Sequence, residues 1–478
     1  MSETENVPKI GIRHVQMTLM FFLLAIGVGM RVQLSVAVVA MTDRNSSSNP
    51  DIPTYDWDNT NVVLSSFYWG YVLLQLIAAN LAKIFGTKYC LLGAMLVNSL
   101  VSMAVPIMAA EFGSYGVMAC RTMQGLSQGF FYPSLYDVLR RWTPITEKAR
   151  LAAIALSGAT FGTIFTMPIV GTISSSWLGW PFSFYLYGGM GVVWMVMFFI
   201  FGASSPREHR CISGGELEYI ESSMDISEEK VEVPWKSMFS SLPAWGLFIM
   251  HIGSTWGYVT LLTETPIYMN KMMGFDIESN GFISAAPYLT WFLLSFVFAW
   301  ISDYLMNNTN LSDIWNRRLM SAIGSFVPGT ALMILSLLPK DAINWSVAML
   351  IIAGGFLAAT SSGFMVNHVE LSPQFSGYLL AIGNTVGNVG SIFAPLFVQL
   401  VVTGDGTVKP GILLESMKKT TKLVNNKESK KSLSIPSWHH KLYNYTSDTK
   451  FSFEVRRAER ELRYNHIRLI WTYYCNIL

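Results

Sequence analysis

Charge is scarce in this chain. Only 13% of its 478 residues are Asp, Glu, Lys or Arg, about half the share of an ordinary soluble domain, so a surface that faces water all round is excluded. The net charge is +2 and the 33 basic residues form no single stripe, which excludes a nucleic-acid partner. Cysteine is nearly absent too. The four, Cys90, Cys120, Cys211 and Cys475, lie far apart, so neither a disulfide framework nor a metal site is indicated. Missing as well are a glycine-rich phosphate loop with lysine, a His-Glu-x-x-His pair and a nucleophile elbow. No catalytic residue is therefore assigned, and an enzyme is not expected.

What is abundant is apolar sequence, at 51% of residues. Eleven stretches are long enough to cross a bilayer, near 15–41, 61–82, 89–110, 114–138, 151–174, 181–203, 242–269, 280–305, 318–338, 345–367 and 376–402, each close to the roughly 20 residues a spanning helix needs. The first, after Arg13, is too long for a signal-peptide core and reads as a membrane helix. The fold class is an all-α polytopic membrane protein embedded in the lipid bilayer.

Lysine and arginine set the orientation. With the N-terminus in the cytoplasm, inner segments hold fourteen of them and outer loops three, Arg44, Lys271 and Lys340, as the positive-inside rule requires. Asn45 and Asn344 then head glycosylation sequons on the outer or lumenal side. The polar run 204–241, with Glu216, Glu218, Glu221 and Asp225, reads as a cytoplasmic linker between a six-helix bundle, 1–203, and a second bundle, 242–402. Residues 403–478 are polar and basic and read as a disordered tail.

The halves echo each other. Gly158-Ala159-Thr160-Phe161-Gly162 with Pro168 resembles Gly383-Asn384-Thr385-Val386-Gly387 with Pro395, each in the fifth span of its half, as parallel repeats give. A chance recurrence of Gly-x-x-x-Gly is the alternative.

Arg31 stands near the middle of the first span and Arg121 opens the fourth. An arginine in a span costs about 2.5–3.5 kcal/mol on insertion scales, so it should face a cavity or a partner. The functional reading is a seat for an anionic substrate, because guanidinium stays charged and forks onto carboxylate or phosphate. The bland one is a structural arginine bonded to backbone carbonyls. Arg121, Gly125, Gln128 and Tyr132 share one helix face. Glu264 in the seventh span can bind a coupling proton or pair with an arginine, and His251 titrates near neutrality when exposed. Asp303, at the cytoplasmic end of the eighth span, reads as a gate residue helped by Arg317 or Arg318. His368 reads as structural. Most aromatic residues, Phe67, Tyr68, Trp256 and Tyr258 among them, read as interface belts or packing, with Tyr71 and Tyr288 as candidates for the pathway wall.

The segments Gly29 to Ala37, Arg121 to Pro133, Arg141-Trp142-Thr143-Pro144, Leu261 to Pro266, Ala286-Pro287-Tyr288-Leu289 and Gly383 to Asn388 resemble the anion:cation symporters of the major facilitator superfamily. That group includes sialin, the type I sodium/phosphate cotransporters and the vesicular glutamate transporters, and the insect inorganic phosphate cotransporters look closest. The resemblance covers about residues 10 to 403. It implies two pseudo-symmetric six-helix bundles, alternating access, a small anionic substrate, and a sodium ion or proton as coupling cation, in a plasma or vesicle membrane. It carries Arg31 and Arg121 over as substrate-related. Asn384 and Asn388 on the eleventh span are candidates to coordinate sodium, with helix packing as the alternative.

Three departures stand out. Gln128 occupies a place where many relatives carry a glutamate implicated in proton coupling. Lys83 replaces an acidic gate residue in the loop after the second span. A twelfth helix is missing from the pattern after Val402, which reads as a spliced or misassembled end. A truncated relative that no longer transports is the alternative reading of that end.

Overall fold

The computed structural model describes residues 11–144, 147–223, 235–339, 341–372 and 375–401. The expectations for the 403–478 tail and for a twelfth helix lie outside these residues. In chain order the helices are α1 (Ile12–Thr42), α2 (Thr60–Phe85), α3 (Thr87–Gln128), α4 (Phe131–Trp142), α5 (Lys148–Ser175) and α6 (Gly179–Phe201). A 3-10 turn at Pro206–Glu208 precedes the short helices α7 (Gly214–Ser222) and α8 (Trp235–Ser240). Then come α9 (Leu242–Lys271), α10 (Ile277–Asn308), α11 (Asp313–Leu337), α12 (Ile343–Phe356), α13 (Ala359–Ser362), α14 (Asn367–Leu371) and α15 (Ser376–Val401).

Within the described residues the eleven apolar stretches are mainly helical, and eight helical runs among the described residues are long and apolar enough to cross a membrane. One of them, Thr87–Trp142, is 56 residues long and holds two passes. Gly113 separates them at φ +57°, a left-handed conformation that glycine adopts without the Cβ penalty, so the chain reverses with no loop. Helices α2 and α9, of 26 and 30 residues, also have spanning length. Prolines sit inside α3, α5, α9, α10, α11 and α15, where membrane helices tolerate them because neighbours satisfy the freed carbonyls. The tenth stretch departs from expectation. It breaks after Phe356 and again over 363–366, leaving the short helices α13 and α14.

Helix α1 is the hub of the first half. Its most apolar window is 89% buried, against 28% for α10 and α11, so it is sheathed by protein while they are largely exposed. Glycines let it in. Gly158 and Gly162 set the α5 backbone directly on the carbonyls of Phe21 and Ala25, with no room for a Cβ, the close approach that small residues give membrane helices. Gly70 and Gly125 do the same reciprocally between α2 and α3.

Contacts between the first and second halves gather where α1 ends. Gly171 of α5 meets Ile277 and Gly281 of α10, and Ser65 of α2 donates to the Ile392 carbonyl of α15 at 2.9 Å. Val38, Val39 and Thr42 of α1 line one small crevice with Ile267, Asn270 and Lys271 of α9.

At the opposite end, α7 is clasped to α1. Glu216, 1% exposed, accepts from the backbone N–H groups of Ile12 and Arg13 at 3.0 and 3.1 Å. It thereby satisfies two donors that a helix start leaves open, where negative charge is favoured. The Arg13 guanidinium bridges Glu216 at 3.0 Å and Glu147 at 2.7 Å, and the hydrogen bond from Arg13 holds the Glu147 carboxyl below its ordinary value.

Candidate functional site

Arg31 projects from α1 toward α2, where Phe67, Tyr68 and Tyr71 fall on one helical stripe. Its guanidinium carbon lies 4.7 Å from the Tyr68 ring centre, 5.1 Å from Phe67 and 5.7 Å from Tyr71, within cation–π range. One guanidinium N–H donates to the Tyr68 hydroxyl at 2.8 Å, and Nε is buried with no protein partner. The three rings are buried and pack with Val259 of α9 and Ala394 of α15, alongside Trp256 and Tyr258. Tyr258 meets Tyr288 of α10 edge to face at 5.8 Å, and the Tyr288 hydroxyl is buried without a protein partner. The cage therefore draws on both halves, the usual place for a carrier's site.

Arg121 behaves differently. It is 3% exposed, well inside α3 rather than at a membrane boundary. Its guanidinium donates to the carbonyls of Met30 and Arg31 at 3.3 and 3.0 Å and to Gln124 at 3.2 Å. It holds the α1 backbone on either side of Arg31 and lies 4.9 Å from the same Phe67 ring. Among the described residues no carboxylate lies within 4 Å of either arginine. Two guanidiniums that share one aromatic wall, with no protein counter-charge, can receive an anion.

The face expected to carry Arg121, Gly125, Gln128 and Tyr132 is divided. Arg121 and Gln128 turn to α1, Gln128 donating to the Gly27 carbonyl at 2.8 Å, while Gly125 meets the Phe67 carbonyl of α2. Tyr132 stands in α4, beyond the turn at Gly129-Phe130.

The remaining candidates scatter. Glu264 accepts from the hydroxyl of Thr263, its neighbour in α9, at 3.1 Å. His251 is brought to His368, Nε2 to Nε2 at 2.9 Å, a pairing that the sequence, 117 residues apart, gave no sign of. Asn388 donates to Asn384 within α15. Asp303 is exposed, and the help expected from Arg317 or Arg318 is not there. Arg317 bonds Glu370, Ser302 and the Ser362 carbonyl, because the break after α13 leaves that carbonyl open, and Arg318 lies over the Trp315 ring. Lys83 belongs to α2, but its side chain lies outside the described part. Asn45 and Asn344 are exposed, as a sequon needs, although the Ser47 hydroxyl is bonded to the Ser176 carbonyl. Among the described residues no cluster of three or more His, Cys, Asp or Glu could hold a metal ion. Sequence reasoning missed Phe67, Tyr68 and Tyr258 as site residues by assigning them to belts; the i, i+1, i+4 aromatic spacing of 67, 68 and 71 was the available signal.

Comparison with known proteins agrees with this architecture. The chain is 35% identical over 392 residues to a protein of Drosophila ananassae named "Putative inorganic phosphate cotransporter", covering 77% of this chain and 81% of that one. It is 32% identical to sialin of Ovis aries, covering 80% and 81%, and 30% identical to vesicular glutamate transporter 2 of Homo sapiens, covering 78% and 66%. Among solved structures, a bacterial homolog of the human lysosomal transporter Spinster, inward-facing and unoccupied, superposes with a TM-score of 0.61 at 13% identity, covering 87% of this chain and 86% of that one. A POT family transporter in complex with 5-aminolevulinic acid gives 0.60 at 13% identity, covering 80% and 90%, and at such identities the shared feature is the fold. The family model of the Major Facilitator Superfamily matches residues 17–395, and with these relatives it establishes that the chain is an integral membrane protein of that superfamily, within its anion:cation symporter group.

Proposed function

We propose that the chain is a secondary active transporter, not an enzyme, that moves a small anion, inorganic phosphate or an organic anion, together with a sodium ion or proton. The observation that carries this reading is Arg31, a cation walled by Phe67, Tyr68 and Tyr71 and facing no carboxylate among the described residues. An anion entering between the halves gains the guanidinium fork and the cage hydroxyls, and displaces no internal salt bridge. Arg121 positions α1 so that Arg31 points into the cage. The names of the relatives, a phosphate cotransporter and a glutamate transporter among them, support an anionic cargo.

Alternating access then consists of bundles 1–203 and 242–402 rocking about this site, with 204–241 as the link. The contacts at Gly171–Gly281 and Ser65–Ile392 close the side where α1 ends. With the N-terminus in the cytoplasm of a plasma or vesicle membrane, this is a cytoplasm-facing form. Asn45 and Asn344 then stand on the far side, available for glycosylation.

The test is uptake of labelled inorganic phosphate and labelled glutamate into proteoliposomes holding the full chain, under a sodium or a proton gradient, beside Arg31→Ala. A lost hydrogen bond to a charged group is worth about 1.5–3 kcal/mol, so uptake should fall roughly tenfold to a hundredfold. Equal uptake by folded Arg31→Ala would remove the arginine from the site.

A further inference from the structure

We propose that the His251–His368 pair is a one-proton site through which proton movement is coupled to the anion, an inference that rests on the transport reading above. The pair joins α9 to α14 on the side of the linker, beside the break in the tenth span. Both rings are enclosed, His251 4% and His368 2% exposed.

The hydrogen bonds fix where protons sit. His368 Nδ1 lies 2.9 Å from the Met365 carbonyl, which only accepts, so Nδ1 carries a hydrogen. In neutral His368, Nε2 is then a bare acceptor. The 2.9 Å contact to His251 Nε2 therefore requires His251 to donate, and His251 Nδ1 is left without a hydrogen on it and without a hydrogen-bond partner among the described residues. One further proton can enter at that Nδ1 and leave every existing bond intact. The result is an imidazolium donating to an imidazole, a charge-assisted bond stronger than the neutral one. A second proton has no such place. It would have to occupy His368 Nε2, so two donors would face each other and the α9–α14 joint would break. The pair titrates as a unit with one added proton.

The surroundings make that proton conditional on the anion. From α15, Gly383 and Gly387 meet His251, and α15 has no Asp, Glu, Lys or Arg. The Phe364 and His251 rings meet edge to face, their centres 5.2 Å apart. In α9 the nearest acid is Glu264, more than three turns away, and α8 contributes Lys236, which is exposed. On α14, Glu370 is committed to Arg317 of α11. Among the described residues no carboxylate within 4 Å offsets an imidazolium here, and an isolated buried charge is costly. The two sites share α9, whose Tyr258 and Val259 wall the cage about two turns beyond His251, so an anion in the cage adds negative charge along the same helix. Glu264 of α9 is half-buried, but its hydrogen bond is to its own neighbour Thr263, so its titration changes no hydrogen bond between elements. Gln128 cannot titrate.

The experiment uses proteoliposomes with the full chain, a pH-sensitive dye inside, and labelled inorganic phosphate or glutamate outside. Two assays run side by side: proton entry with net uptake, and counterflow of labelled against unlabelled anion, which needs no net proton movement. His251→Gln and His368→Gln each keep a donor and an acceptor for the α9–α14 bond and remove the titrating ring. Wild type should carry about one proton per anion charge cycle, and both variants should lose at least about tenfold in gradient-driven accumulation while keeping counterflow. Folded variants that still move protons at the wild-type ratio overturn the proposal, as does wild type that transports anion with no proton entry. Absence of counterflow in wild type for either anion would instead count against the transport reading itself.

Discussion

The same glycine spacing does different work in the two halves. In the first, Gly158 and Gly162 of α5 lie against the backbone carbonyls of Phe21 and Ala25 in α1. In the second, Gly383 and Gly387 of α15 lie against His251 and Thr255 of α9, with the imidazole ring and the threonine hydroxyl at the contact. Both seams join the fifth span of a half to its first, and both place a glycine pair on residues four apart. One seam spends its glycines on bringing two backbones together, the other on making room for a side chain that can take a proton. A repeated scaffold thus yields a fixed joint in one half and a responsive joint in the other.

That contrast can be broken by filling each seam. Gly162→Val forces a side chain into the Ala25 carbonyl, which cannot rotate away, so the helices must separate. Overpacking of this kind costs about 1–3 kcal/mol, and a clear fall in melting temperature in detergent is expected; melting like wild type would mean the first seam is not backbone on backbone. Gly383→Ala meets an imidazole ring that can turn, so its melting should fall less. Its larger effect should be on proton movement, with anion counterflow retained, because the ring is pushed off His368. If Gly383→Ala destabilises as much as Gly162→Val and leaves proton entry alone, the two seams are equivalent.

The smallest effect concerns the rim of the first half. The hydrogen bond from Arg13, with its charge, holds Glu147 below the ordinary glutamate value of 4.5. A depressed carboxyl contributes stability above that value and loses it as pH falls through the folded one. Melting of wild type should therefore drop on acidification below about pH 4.5 by slightly more than melting of Glu147→Gln. Identical acid curves would show that the clasp rests on Glu216 alone.

Much of this was readable in the sequence, for identifiable reasons. Hydropathy is a local property, so the apolar stretches that form the long helices stood out. Arg31 and Arg121 stood out because charge in an apolar run is expensive wherever it falls. Their division of labour did not, since it depends on whether a guanidinium meets a carbonyl of another helix, as Arg121 meets Met30 and Arg31. Asp303 was given the wrong neighbour for a similar reason. Proximity in the chain pointed to Arg317, but the carbonyl freed where α13 stops draws Arg317 toward Ser362 and Glu370. The histidine pair was out of reach because nothing local ties His251 to a residue beyond a helix break.

The two short helices of the linker have anchors of their own. Glu216 fastens α7 to the start of α1, while α8 rests on α9 and α15 through Met238 and through Trp235 against Tyr378. A protease cut anywhere between Ser223 and Trp235 would therefore leave each fragment carrying its own fastened stub. The two pieces should co-purify as a nicked pair, and the peptide bond between them is a place where an affinity handle can be inserted without loosening either end.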